Sequence, residues 1–362
     1  MQHLRHTIGI LVFMCIANLG YTSESSADTT EKFKPKEFIM EHVGDAYSWH
    51  ITSINHTELS IPLPVILYSK DKGLSVFLSN KLDEGAYNGF YKASEGKYAG
   101  KIVEEVLDSA GVKSEVRPLD LSITKIVLSL LITVLINLLV FLSIAKKSKR
   151  NELKAPTGIQ NVIEPIIIFV RDSIALPAIG EKRYERFMPY LLTVFFFIWT
   201  ANLLGLIPVF PGGANITGNI AITMVLALFT FFITTFSSNK HYWVEIFNNP
   251  EIPWWLKFPI PLVPITEIMG VFTKPFVLMI RLFANILAGH MVATVFFSLI
   301  FIFGAMSPGI GYGASVLTMA FTLFWALLEL LVSFIQAYVF TLLSAVYFGM
   351  AKVEVHHPQK VH

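Results

Sequence analysis

Two apolar stretches, 264–303 and 314–349, are each about twice as long as a membrane crossing requires. A helix rises 1.5 Å per residue, so a 40-residue helix runs about 60 Å. The hydrocarbon core of a bilayer is about 30 Å thick, and the whole bilayer about 45 Å. Soluble helices are not apolar round their full circumference over such lengths. Both stretches therefore belong in a membrane, and neither stands upright there. Either Pro275 breaks the first, or it tilts far beyond the usual ~20°.

Polar residues punctuate both stretches. The first holds Arg281, Asn285 and His290; the second holds Glu329, Ser333 and Gln336. Burying an arginine at bilayer depth costs at least about 2.5–3.5 kcal/mol, so such residues face a partner or water. Residues 281, 285 and 289 are four apart and are expected on one helix face. Glu329 and Gln336 are seven apart and point the same way. Between the stretches lies Ser307-Pro308-Gly309-Ile310-Gly311-Tyr312-Gly313, a hairpin break. The pairs Arg281 with Gln336 and His290 with Glu329 are both centred on this break. The spacing predicts an antiparallel hairpin with Arg281 level with Gln336, and His290 beside Glu329 nearer the turn.

Three further stretches, 121–145, 187–207 and 219–237, complete five crossings. The first runs into Lys146-Lys147-Ser148-Lys149-Arg150, and such clusters mark the cytoplasmic side. The region before it is then outside, and the short loop 208–213, free of Lys and Arg, is outside too. Lys182, Arg183, Arg186, Lys240, His241 and Lys257 lie on inner segments, with Trp243, Trp254 and Trp255 as interfacial aromatics. Residues 160–180 are apolar but carry Glu164, Arg171 and Asp172, so they are read as a cytoplasmic surface helix. The tail 351–362 ends inside.

The N-terminal 27 residues read as a secretory signal, with Ser25-Ser26-Ala27 offering small residues for cleavage; an uncleaved first helix is the rival. Residues 28–118 are polar and mixed, a small periplasmic region. Within it 61–68 and 74–78 read as a β-hairpin about Lys70-Asp71-Lys72-Gly73, with Pro62 and Pro64 restricting the first strand to an edge. Residues 101–110 read as a short helix ended by Gly111. His42, His50 and His56 are irregularly spaced, as surface histidines are; a metal site is the alternative. Residues 119–350 form the membrane domain.

Composition agrees: 54% of residues are hydrophobic and 15% charged. A net charge of +2 speaks against a nucleic-acid partner, and the single cysteine, Cys15, excludes an intrachain disulfide. No phosphate-binding loop and no His-Glu-x-x-His motif occurs, so no cofactor or nucleotide is expected.

The run Arg-Leu-Phe-Ala-Asn-Ile-Leu-Ala-Gly-His at 281–290 resembles subunit a of F-type ATP synthases. So do Ile-Gln-Ala-Tyr-Val-Phe-Thr-Leu-Leu at 335–343 and Asn202-Leu203-Leu204-Gly205-Leu206-Ile207-Pro208. The motifs occur in that family's order and cover about 121–350. The resemblance implies an all-α membrane protein in the bacterial inner membrane, its tilted hairpin wrapping a rotating ring of c subunits. It implies b-type peripheral stalk subunits and, through them, the F1 ATPase as partners, so the chain is not itself an enzyme. It also implies roles in proton translocation for Arg281, Glu329, His290, Gln336, Asn285, Glu267 and Asn202. Some relatives carry an acid at the position of His290 and a histidine at that of Glu329; here the pair is exchanged. Gly205 stands where the family often has an acid, which weakens any relay there.

Each site residue has a plainer reading. Arg281 can pair with Glu329 in a structural ion pair, and His290 with Glu329 in a satisfied hydrogen bond. Asn285, Gln336 and Asn202 can be helix–helix glue. Gly270, Ala284, Ala288 and Gly289 are small enough to admit a partner helix. A secondary transporter is the rival function; it predicts inverted repeats, and none is visible. A membrane enzyme using His290 and Glu329 lacks a nucleophile or third ligand.

Overall fold

The computed structural model describes residues 44–248 and 262–351, except 55–56, 71, 84, 94–97, 99, 108–112, 151–155 and 208–209. Residues 1–27, read above as a signal, with His42, His56, Trp254, Trp255, Lys257 and the tail beyond 351, lie outside the described residues. The chain divides into two compact units, 1–132 with 207–214, and 133–206 with 215–362.

The N-terminal unit is β-structure. Strands β1 (Ser48–Ile54) and β2 (Thr57–Pro62) form an antiparallel pair. Strand β3 (Pro64–Ser69) pairs with β4 (Gly73–Leu78), and Gly73 takes the left-handed φ of +70° that the tight turn requires. The expected hairpin is thus present, but β3 is not an edge strand. The two-residue β8 (Leu119–Asp120) lies on its other side, giving the order β4-β3-β8. Pro64 is tolerated there because it opens the strand and only its carbonyl is used, accepting from the Ile123 N–H at 3.1 Å. The short helix expected over 101–110 is also corrected. Ile102–Leu107 is strand β6, between β5 (Phe90–Lys92) and β7 (Lys113–Val116). Packing overrides local preference: Ile102 fills the core with Val65, Leu67, Phe77 and Phe90, and Val103 is fully buried as well. Glu104, buried beside them, accepts from Ser69 Oγ at 2.7 Å and meets Lys72 at 3.6 Å.

Among the described residues, five helices are long and apolar enough to cross a membrane. Helix α1 (Lys125–Arg150) starts later than expected because 121 and 123 still hydrogen-bond to strand β3. Next come α2 (Ile159–Val170), a π-turn at Arg171–Ala175 and the short α3 (Leu176–Ile179). Helix α4 (Tyr184–Leu206) and helix α5 (Ile220–Ser237) follow, the latter capped by Asn219, whose side chain accepts from the Ala221 N–H at 2.9 Å. Helix α6 spans Lys240–Asn248. The last two helices, α7 (Leu262–Met306) and α8 (Pro308–Met350), hold 45 and 43 residues. At 1.5 Å per residue each is about 65 Å long. Pro275 lies inside α7 without breaking it.

The hairpin turn is tighter than the run of glycines suggested. Ser307 alone links the helices, Pro308 occupies the first turn of α8, and Gly309, Gly311 and Gly313 belong to that helix. Gly311 is needed for another reason: a Cβ there would stand 2.7 Å from Gly304 Cα. Further along, Phe296 stacks on Phe321 at 5.5 Å and Lys274 Nζ lies 5.8 Å from the centre of the Tyr347 ring. All three pairs are centred between residues 307 and 311, so the helices stay in register along their length.

The core of the membrane unit joins α4, α7 and α8 through Phe195, Phe196, Leu278, Leu282, Phe340 and Phe348. Helices α2 and α3 pack into it. Val170, Ile174 and Ala175 are fully buried, and Phe169 tilts against Phe334 and Tyr338. Gly349 lies so close to the Ala178 carbonyl that a Cβ would overlap it. One side of the 160–180 segment therefore packs on protein, while Ile159, Val162, Arg171 and Asp172 stay exposed.

Candidate functional site

The polar residues of the hairpin divide into an outward and an inward set. On α7, Arg281, Ala284, Asn285 and Ala288 are three and four residues apart and all exposed. Leu278, Leu282, Ile286 and Gly289 of the same helix are buried. The outward face thus has a guanidinium and an amide set among alanines, with no large apolar side chain at those four positions.

Gly289 does not share that face. Eight residues at about 100° each bring it some 80° round from Arg281, and it turns toward α8. There Glu329, Ser333 and Gln336 are buried. A Cβ on Gly289 would stand 2.9 Å from Glu329 Oε1, so this glycine gives the carboxylate its place. Trp325 Nε1 donates to the Gly289 carbonyl at 3.1 Å and ties the helices together one turn away.

His290 meets Glu329, with Nε2 3.8 Å from Oε1. That distance suits an ion pair but is too long for a hydrogen bond. Glu329 Oε1 and Ser333 Oγ are buried without a hydrogen-bond partner. The arrangement can therefore take up a proton or a water at the carboxylate and pass it to the imidazole.

Arg281 and Gln336 share no hydrogen bond among the described residues, and no ion pair joins Arg281 to Glu329 there. One is exposed and the other buried. Glu267 is exposed on α7, fourteen residues and about 21 Å before Arg281. Gly270, like Ala284 and Ala288, has open space about it.

Asn202 is buried on α4 and accepts a short hydrogen bond from the Thr217 hydroxyl; its Nδ2 has no hydrogen-bond partner. Asn215 is likewise buried, with Oδ1 accepting from the Gly218 N–H at 2.8 Å and Nδ2 unpartnered. Sequence reasoning passed over Asn215, Thr217 and Trp325. The dense polar run Asn215-Ile216-Thr217-Gly218-Asn219 just ahead of an apolar helix was the available signal for the first two. Nothing local marks Trp325.

Fold and site define a multi-pass helical membrane protein with an exposed arginine on one long apolar helix and, nine residues further on, a half-buried histidine that meets a buried carboxylate. A model of the ATP synthase A chain family matches residues 126–349. A second, described only as a domain of unknown function, matches 38–121. The chain is 40% identical over 257 residues to ATP synthase subunit a of Chloroherpeton thalassium, covering 69% of this chain and 72% of that one. It is 40% identical over 280 residues to the subunit of Chlorobium phaeobacteroides strain BS1, covering 73% and 79%. With the subunit of Myxococcus xanthus it shares 40% identity over 243 residues, covering 66% and 76%. The chain belongs to the ATP synthase subunit a family.

Proposed function

We propose that this chain is the proton-translocating stator subunit of the F0 sector, forming two half-channels against a rotating ring of c subunits. The observation that carries the reading is the division just described. A fixed cation lies on an open, small-residue face of α7, and nine residues on, half-buried His290 meets the buried Glu329 of α8. The open face fits a partner helix that brings its own carboxylate. Arginine suits the fixed charge because it stays protonated in nearly any environment.

In this reading a proton enters from the outer side past His290 and Glu329 and neutralises a ring carboxylate. The neutral carboxyl then faces lipid without the penalty of a buried charge. After almost a full rotation it gives its proton to an inner path near Glu267, and Arg281 keeps the two paths apart. Asn285, Gln336 and Asn202 supply hydrogen bonds along the route. Each charge moved through 100 mV releases about 2.3 kcal/mol, so several protons accompany each ATP. The ATP chemistry lies in other subunits, reached through b-type stalk subunits and F1. The inner membrane, with the N-terminal region periplasmic and the C-terminus cytoplasmic, completes the reading. A secondary transporter is not favoured, given the family.

The test is Arg281→Ala in the assembled complex. ATP-driven proton pumping should vanish while subunits still co-purify, and Arg281→Lys should restore little. Wild-type pumping by the alanine variant would refute the assignment.

A further inference from the structure

We propose that the β4-β3-β8 sheet of the N-terminal unit lies on a lipid surface, with Leu74, Val76, Leu78, Tyr68, Leu119 and Leu121 seated at the headgroup–acyl boundary. The inference is independent of proton translocation and needs only that α1 crosses the membrane.

Register places these side chains on one face. Tyr68 pairs with Leu74 on one side and Leu119 on the other, and Pro64 pairs with Leu78. Ile66 pairs with Val76, and its carbonyl accepts from the Leu121 N–H at 2.9 Å. Directly paired residues of antiparallel strands point to the same face. The alternate residues Val65, Leu67 and Phe77 point the other way and are buried in the core.

A sheet of this kind normally presents a polar face to water. Here the outer face is apolar as well, and its six named side chains are 46–65% exposed. A contiguous patch of this kind on a protein marks an interaction surface.

The chain itself indicates what covers the patch. Helix α1 begins four residues after Leu121, and no slack separates the sheet from it. The Leu121 and Ile123 N–H groups donate to β3, the Lys125 N–H donates to the Ala46 carbonyl at 2.9 Å, and the Ile126 N–H donates to Asp45 Oδ1 at 3.2 Å. Val127 and Leu131 are exposed on the first turns of α1 within the same compact unit, and that helix is itself long and apolar enough to cross a membrane. At the end of the sheet away from α1, Lys70 and Arg117 extend the same alternation beyond Tyr68 and Leu119, and both are exposed. An apolar centre with a tyrosine and two cations at its rim has the composition of an interfacial anchor for anionic lipid.

Spin labels test this in the whole ATP synthase complex, reconstituted in vesicles of phosphatidylcholine with phosphatidylglycerol. One label goes on Val76→Cys and a control on Lys92→Cys, an exposed site in the other sheet, both with Cys15→Ser. Oxygen concentrates in lipid and a nickel chelate stays in water. The oxygen-to-nickel collision ratio should be about fivefold higher at 76 than at 92. It should fall toward the control value when Lys70→Glu and Arg117→Glu are added. Equal ratios at the two sites would put the face in water and overturn the proposal. Exclusion of both reagents at 76 would mean that a protein subunit or a second copy covers it, and would overturn it equally. Should the Val76 variant fail to assemble, Leu119→Cys reads out the same face.

Discussion

Glu329 lies directly on Gly289, with only the missing Cβ of the glycine making room for its carboxylate oxygen. Gly289→Ala should therefore push the carboxylate away from His290. Overpacking of this sort costs about 1–3 kcal/mol. Proton pumping in inverted vesicles, normalised to assembled subunit, should drop. Adding Glu329→Asp shortens the side chain by one methylene and should recover part of the loss. Wild-type pumping by Gly289→Ala alone would show that the contact does not position Glu329.

His290 and Glu329 face each other at 3.8 Å and should depend on one another. His290→Glu alone sets two carboxylates together and raises the cost of ionising both. The exchange, His290→Glu with Glu329→His, should work better than His290→Glu by itself. Proton flux for both single variants and the double forms a mutant cycle, with a coupling on the order of 0.5–3 kcal/mol expected for residues in contact. Strictly additive losses would mean that the two act separately.

Trp325 ties α8 to the Gly289 carbonyl through its indole N–H. Trp325→Phe keeps a ring beside Phe296 but removes the donor. The expected cost is about 0.5–1.5 kcal/mol, read as a lower unfolding temperature of the purified complex with little loss of subunit a. An unchanged melting curve would show that the bond adds nothing net.

The N-terminal unit should respond to acid through Asp120. Burial raises its carboxyl, but hydrogen bonds from Ser122 and Tyr47, with Arg117 nearby, outweigh burial and hold it below the ordinary carboxylate value. Its contribution to stability is therefore complete above the unfolded value of about 3.9. It is lost as pH falls through the lower folded value. Hydrogen exchange at 64–69 and 119–125 should quicken on acidification, and Asp120→Asn should show fast exchange already at neutral pH. Identical protection in both proteins across that range would rule out this anchor.

The membrane unit was legible in sequence because lipid imposes simple rules on length and polarity. Stretches long enough to span and a Pro-Gly break located five helices and the hairpin, and the common centre of two polar pairs brought His290 to Glu329. What escaped was decided by rotation and by distant packing. Gly289 is eight residues from Arg281, which sounds like one face yet is about 80° off it. The 102–107 strand carries two consecutive glutamates, which blur the strand alternation. One of them, Glu104, is buried only because Ser69 and Lys72 receive it from another part of the chain. Pro64 suggested an edge strand, but the residues that pair beyond it, 119–123, lie more than fifty positions away.

Ser307 is the whole connection between α7 and α8, and beside it Gly304 and Gly311 touch backbone to backbone. Slipping one helix past the other by a turn would need about 5.4 Å of play, and a one-residue link supplies none. A sideways load on the Arg281–Ala288 face therefore cannot be relieved by sliding. It passes into α8 and, through Phe340 and Phe348, into α4. A stator feels the reaction torque of whatever turns against it, and this hairpin is built to bear torque as a single stiff beam rather than as two rods.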